Sequence, residues 1–208
     1  MSTPKNPDWV VQANQEGEVF DLPSVVALDY DSLVNAAIKK SGLNDFGEDY
    51  WQAPLKTLCA DLDQIAELTL MGRLMARNDI LLWLDSRLQI TDLTNKHPEI
   101  LEQEVAAPMF IVGLPRSGTS ILFEVLAQDP DVGVPKMWEA LLPCPPPQSD
   151  TYLSDPRIER AHQLFTQWNR MVPEFASVHE MAGDIPAECG LIMAGSFISD
   201  HIASLHMT

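Results

Sequence analysis

Positive charge is what this sequence most conspicuously lacks. Its 208 residues hold 13 Lys and Arg against 30 Asp and Glu, for a formal net charge of −17 at neutral pH. Such a chain repels a nucleic-acid backbone or an anionic membrane at long range, which argues against a nucleic-acid function. Cysteine is also scarce. Cys59, Cys144 and Cys189 stand far apart with no CxxC pair, so they make neither a disulfide framework nor a zinc site. They read as buried free thiols in a reducing compartment. No window approaches the roughly 20 apolar residues that span a bilayer. The N-terminal stretch from Met1 to Asp8 is polar and has no apolar core of a signal peptide. A soluble, cytoplasmic protein without membrane insertion is the expectation, and no segment repeats. What remains is ordinary globular material, with 46% hydrophobic and 21% charged residues. The length suits one domain, or one domain with a helical extension. If so acidic a chain binds an anionic nucleotide, a small local cluster of donors must do it.

Residues 1 to about 28 mix Pro, Gly and acidic residues with scattered apolar ones, which reads as a loosely attached arm. Leu33, Val34, Ala37 and Ile38 then recur at helical spacing, with Gly42 as the stop. From Trp51 a second helical pattern carries Leu55, Leu58, Cys59, Leu62, Ile65, Ala66 and Leu70 on one face. It continues through Leu74, Ile80, Leu81, Leu84 and Leu88, with breaks expected near Asn78-Asp79 and at His97-Pro98. Residues 1–105 are therefore assigned to an arm and a helical region, and 106–208 to a second unit.

At Pro108 the texture changes. Met109-Phe110-Ile111-Val112 is a short apolar run suited to a central strand buried on both faces. Gly113-Leu114-Pro115-Arg116-Ser117-Gly118-Thr119-Ser120 follows, and then a helical run from Ile121 to Ala127, closed by Gln128-Asp129-Pro130. Strand, glycine-bounded loop and helix form the architecture of a phosphate-binding loop. Val132-Gly133-Val134 is a candidate second strand. Pro143-Cys144-Pro145-Pro146-Pro147 reads as a stiff connector. Ser154-Asp155-Pro156 opens a helix, and Asp184-Ile185-Pro186 opens another that is expected to run to about Leu205.

Behind such a loop the helix N-terminus offers unpaired N–H groups and partial positive charge to an anion. The nucleoside-triphosphate pattern G-x-x-x-x-G-K-[ST] uses a lysine to reach the outer phosphates. Gly113 and Gly118 keep its spacing and Ser120 its hydroxyl, but Thr119 stands in the lysine position. The cation has moved into the loop, to Arg116. That arrangement is poorly equipped for phosphoryl transfer. A guanidinium flanked by Ser117, Thr119 and Ser120 suits a less charged tetrahedral anion gripped by two hydrogen bonds.

Pro115-Arg116-Ser117-Gly118-Thr119-Ser120, preceded by Phe110-Ile111-Val112-Gly113-Leu114, resembles the P-R-[ST]-G-T-[TS] motif of sulfotransferases that use 3′-phosphoadenosine-5′-phosphosulfate (PAPS), above all the bacterial branch. His97-Pro98-Glu99-Ile100, Trp138-Glu139, His179-Glu180 and Asp184-Ile185-Pro186-Ala187-Glu188-Cys189 are similar to that branch too. The resemblance covers roughly residues 90 to 208. It implies an α/β fold with a parallel sheet like that of P-loop kinases, incomplete here, behind an extended N-terminal helical region. It further implies that residues 115–120 bind PAPS, that no metal is required, and that the acceptor is a small molecule presenting a hydroxyl or amine.

Two residues are candidates for the base that removes the acceptor proton. Glu139 leads, because the resemblance places a catalytic carboxylate in its neighbourhood; its structural alternative is a solvated glutamate on a short helix. His179 is second, since histidine titrates in the useful range, its alternative being a hydrogen-bonded loop or core residue. Glu188 reads as a first-turn helix charge, with acceptor-site duty as a further option. The family's arginine and serine for the 3′-phosphate have no counterpart before Thr208. The chain is thus expected to be part of a longer enzyme, with exposed apolar surface favouring self-association into a homo-oligomer. Two other readings stand beside the enzyme: an altered P-loop kinase or NTPase, and a non-catalytic helical interaction module with a vestigial phosphate-binding loop.

Overall fold

The computed structural model describes residues 6–114, 117–174 and 180–199. The N-terminal stretch forms two helices, α1 (Asp8–Gly17) and α2 (Leu22–Val25). It is no loose arm. Val10, Val26 and Leu28 are buried, and Asn14 Oδ1 accepts the N–H of Met71 at 3.0 Å. Arg73 Nε donates to the Val26 carbonyl at 3.0 Å, and Arg77 donates to that of Ala27. Backbone carbonyls captured by two arginines over 47 and 50 residues pin the segment, a contact that local composition does not reveal.

Helix α3 (Tyr30–Ser41) follows the predicted pattern. The Asp29 side chain caps its start by accepting the Ser32 N–H, and Gly42 ends it at φ +74°, a left-handed conformation glycine adopts without strain. Helix α4 (Gln52–Gln64) buries Leu55, Cys59 and Leu62 but stops before Ile65, which is exposed. Thr69 then caps α5 (Leu70–Lys96) by accepting the Gly72 N–H at 3.3 Å. The break thus lies at residues 65–69, whereas Asn78 and Asp79 sit inside an unbroken 27-residue helix. Asx residues weaken a helix only modestly, and packing of this one against neighbouring helices outweighs the local preference. The expected stop at His97-Pro98 is where α5 ends, in a 3₁₀ turn over Pro98–Ile100.

Leu33, Leu55, Ile80, Leu84 and Leu88 share one core with an aromatic group centred on Trp51. The Trp51 ring lies 4.8 Å from that of Phe46, 6.1 Å from Tyr30 and 6.3 Å from Phe197. A second core joins Met137, Trp138 and Leu141 to Ala161 and Phe165, with Leu82 of α5 packed against it. Ala194 and Phe197 enter the first core from the far end of the chain.

The strand expected at 109–112 is not formed. Residues 108–114 pair with no strand, and Phe110 and Val112 are 81% and 90% exposed. Nor does 132–134 form one; among the described residues the only β contact is an isolated antiparallel bridge between Lys136 and Pro186. A strand needs a neighbour for its N–H and C=O groups, and none of the described segments supplies it. The helix behind the loop is present as α6 (Thr119–Leu126), followed by α7 (Met137–Leu141) and α8 (Pro156–Met171).

Asp155 caps α8, its carboxylate accepting the Arg157 N–H at 2.9 Å and gripping the Arg157 guanidinium at 2.7 and 2.9 Å. Arg157 also donates to the carbonyls of Leu142 and Pro145, so the proline-rich connector is anchored rather than free. The Arg157 hydrogen bond holds the Asp155 carboxyl down at about 2. A depressed folded-state pKa stabilises above the unfolded value near 4 and stops doing so as pH falls toward 2. The stability gap between wild type and Asp155→Asn, read by urea melts, should therefore be constant above pH 5 and shrink between pH 4 and 2. A gap that is flat with pH would show that the carboxylate charge is irrelevant.

The helix expected from Asp184 to Leu205 is replaced by a short α9 (Cys189–Ile192) and a 3₁₀ turn at Ala194–Ser196, with residues beyond 199 outside the described set. The carbonyls of Gly183 and Ile185 accept from Trp138 and Met137 at 2.8 and 2.9 Å, committing them to a tertiary contact instead of a helical turn. Of the three thiols, all free, Cys59 is buried, Cys144 is half-buried and Cys189 is exposed, so burial holds for only one of them.

Candidate functional site: the loop and its carboxylates

The loop begins with a close approach at Gly113. A Cβ there would meet Ser117 Oγ at 2.6 Å and Thr119 Cγ2 at 2.8 Å, so both side chains would have to turn away. The Ser117 N–H donates to the Leu114 carbonyl at 3.1 Å. Gly118 then takes φ +92°, a region open to glycine, and its carbonyl accepts the first helical N–H of α6, from Leu122, at 3.0 Å. Gly118 is thus favoured by its backbone conformation, and Gly113 by the space that the Ser117 and Thr119 side chains occupy. Ser117, Thr119 and Ser120 cluster where α6 starts, and the free N–H groups of its first turn face the loop. Pro115, Arg116 and His179 lie outside the described residues.

Against this loop the structure sets Glu188. Ser120 Oγ donates to Glu188 Oε1 at 2.6 Å across 68 residues. Glu188 stands immediately before α9, exposed, at the end of a segment held firmly in place. The Ala187 N–H donates to the Pro135 carbonyl at 2.9 Å, next to the Met137 and Trp138 contacts already described. Gly183 lies so close to α8 that a Cβ would meet the Ile158 carbonyl at 2.7 Å, and its N–H donates to His162 Nδ1 at 3.0 Å. Sequence reasoning ranked Glu188 as a helix charge because its partner is 68 residues away; the serine of the motif is the only local sign.

Glu139 is occupied differently. Its Oε2 accepts the Lys136 N–H at 2.7 Å, capping α7, and Tyr152 hydrogen-bonds its side chain. Burial first, and the Glu139 charge and hydrogen bond second, raise the Tyr152 hydroxyl above its ordinary value. Glu139 is half-buried, neither a freely solvated residue nor one hydrogen-bonded to the described loop residues. Among the described residues no group of three or more His, Cys, Asp or Glu side chains is arranged to hold a metal, and no helix is long and apolar enough to cross a membrane.

Gly118 feeding helix α6, with the hydroxyls of Ser117, Thr119 and Ser120 beside it, is the kind of helix start that suits an anion. Residues 108–207, just under half of the chain, match the sulfotransferase family. Two solved structures share the architecture. The sulfotransferase STF1 from Mycobacterium tuberculosis H37Rv is 31% identical with a TM-score of 0.73, over 88% of this chain and 50% of that one. The sulfotransferase STF9 from Mycobacterium avium is 26% identical with a TM-score of 0.76, over 91% of this chain and 48% of that one. The chain spans about half the length of these relatives. No curated protein matches it.

Proposed function

We propose that this chain forms the donor-binding half of a sulfotransferase that moves a sulfuryl group from PAPS to a hydroxyl or amine of a small-molecule acceptor. The observation that carries the reading is the loop, with Gly118 at φ +92° opening α6 and Ser120 in contact with a carboxylate. The residues fit the donor: the amides of Gly118 to Ser120 and the hydroxyls of Ser117 and Thr119 would hold the 5′-phosphosulfate, and Arg116 would neutralise it. PAPS supplies the activated sulfuryl group. The acceptor oxygen bonds to sulfur as the sulfur–phosphate oxygen bond breaks, and Arg116 with the loop amides stabilises charge on the departing phosphate.

Glu188 is better placed than Glu139 to take the acceptor proton, because it lies one hydrogen bond from a loop hydroxyl while Glu139 caps a helix. The exposed apolar run of Phe110, Val112 and Leu114 is consistent with a chain that associates, with itself or with further sulfotransferase chain.

Calorimetric titration with 3′-phosphoadenosine-5′-phosphate, alongside ATP with Mg²⁺, tests the donor site. Saturable binding of the bisphosphate, weakened at least about tenfold in Arg116→Ala, is expected, since a charge-assisted contact is worth roughly 1.5–3 kcal/mol. Preference for ATP with Mg²⁺ would move the assignment to a kinase or NTPase. Binding of neither by the folded chain would leave the helical interaction module.

A further inference from the structure

The segment 183–187 delivers Glu188 to Ser120, and it rests on two supports. One is the start of α7. The Trp138 and Met137 N–H groups donate to the Gly183 and Ile185 carbonyls at 2.8 and 2.9 Å, and the Ala187 N–H donates to the Pro135 carbonyl at 2.9 Å. Between these bonds Lys136 faces Pro186 in the antiparallel bridge. The other support is α8. Gly183 is buried against it, where a Cβ would meet the Ile158 carbonyl at 2.7 Å, and its N–H donates to Nδ1 of His162 at 3.0 Å.

A buried backbone N–H is costly without an acceptor, and here a side-chain nitrogen stands where a carbonyl usually would. Imidazole accepts only at a ring nitrogen that carries no proton. The Gly183 N–H therefore fixes the tautomer of neutral His162, with the proton on Nε2, which lies 3.6 Å from Asp184 Oδ1. Asp184 belongs to the same segment, so both ring nitrogens face residues that lead to Glu188. The backbone carrying the ring is well anchored. His162 sits in the middle of α8, next to Ala161, which is buried in the second core with Phe165 and Trp138.

We propose that His162 is a positioning residue: by accepting the Gly183 N–H it sets the segment that holds Glu188 against Ser120. Its catalytic consequence rests on the reading of Glu188 as the base; its structural consequence does not. An apolar side chain at 162 leaves the Gly183 N–H without its acceptor, and the segment must lift from α8 to reach water. Asparagine supplies a carbonyl oxygen close to the place of Nδ1 and restores the acceptor.

Amide hydrogen exchange and chemical shifts of the full chain, read by NMR for wild type, His162→Leu and His162→Asn, test this. His162→Leu should speed exchange at Gly183, Trp138 and Ala187 at least about tenfold, in line with a buried donor left unsatisfied, and should shift the Ser120 amide resonance. His162→Asn should stay within about threefold of wild type at those amides and leave Ser120 in place. The amides of Leu33 and Leu84, in the first core, serve as unchanged references. Exchange and Ser120 shifts equal in all three proteins, or asparagine behaving as leucine does, would overturn the proposal. Turnover of PAPS with a phenolic acceptor gives the kinetic arm. His162→Leu should lower kcat at least about tenfold, keep affinity for 3′-phosphoadenosine-5′-phosphate within about twofold, and add no further loss in a Glu188→Gln background. A loss undiminished in that background would also overturn the proposal, because His162 would then act elsewhere. The expected exchange pattern in a chain that transfers no sulfuryl group would support the positioning of Glu188 and sink the sulfotransferase reading instead. If His162→Leu fails to fold, His162→Met carries the same readouts.

Discussion

Glu188→Gln should lower the rate of sulfuryl transfer by about 10²- to 10⁴-fold, the range that general-base catalysis contributes. The substitution is nearly isosteric, and the glutamine carbonyl still accepts the Ser120 hydroxyl that donates to Glu188 at 2.6 Å. Loop geometry is therefore retained while the proton acceptor is removed. Affinity for 3′-phosphoadenosine-5′-phosphate should hold or improve slightly, because a negative charge beside an anion site has gone. Glu139→Gln is the companion. Glutamine serves in the same helix-capping role, so the Lys136 N–H stays satisfied and turnover should change by less than about threefold. The readout is release of the bisphosphate from PAPS in the presence of a phenolic acceptor, with binding measured separately. A large loss in Glu139→Gln with Glu188→Gln near wild type would return the base to Glu139.

Trp51→Ala should destabilise the chain by about 3–5 kcal/mol, the usual cost of deleting a buried tryptophan side chain. Trp51 is 2% exposed and touches aromatic rings from three other segments, those of Tyr30, Phe46 and Phe197. Arg87 adds a guanidinium 5.5 Å from its ring. The contact to Phe197 matters most for organisation, since it ties the far end of the described chain to the N-terminal helices. The cavity left by alanine has walls from α3, α4 and α5, three elements that cannot all close on it. Urea melts followed by circular dichroism give the number. A loss below about 1 kcal/mol would mean that the aromatic group is peripheral to stability. The tryptophan variant acts on the whole fold and Glu188→Gln on one proton, so the first should shift melting and the second should not.

What the sequence determined by itself is local. The helix start at Asp155-Pro156, the stop at Gly42 and the break at His97-Pro98 depend on backbone dihedrals and capping groups carried by a few adjacent residues. The loop is of the same kind: Gly113 and Gly118 announce a close approach and a left-handed residue, and both are there. The resemblance to the sulfotransferase family follows from that motif, with threonine in the lysine position and the arginine inside the loop.

Only the tertiary structure decided the rest, because it turns on partners far away in the chain. The 109–112 run has strand composition, yet a strand is a pairing, and no described segment pairs with it. Asn78 and Asp79 look like a break and are held in helix by packing; Asp184 to Pro186 look like a helix start, and backbone bonds to residues 137 and 138 claim their segment. The N-terminal stretch looks loose until Arg73 and Arg77 take its carbonyls. Glu188 and Glu139 are equivalent carboxylates in one dimension. One hydrogen-bonds to a loop serine 68 residues earlier and the other to an amide three residues earlier, and that difference in partners separates a candidate base from a helix cap.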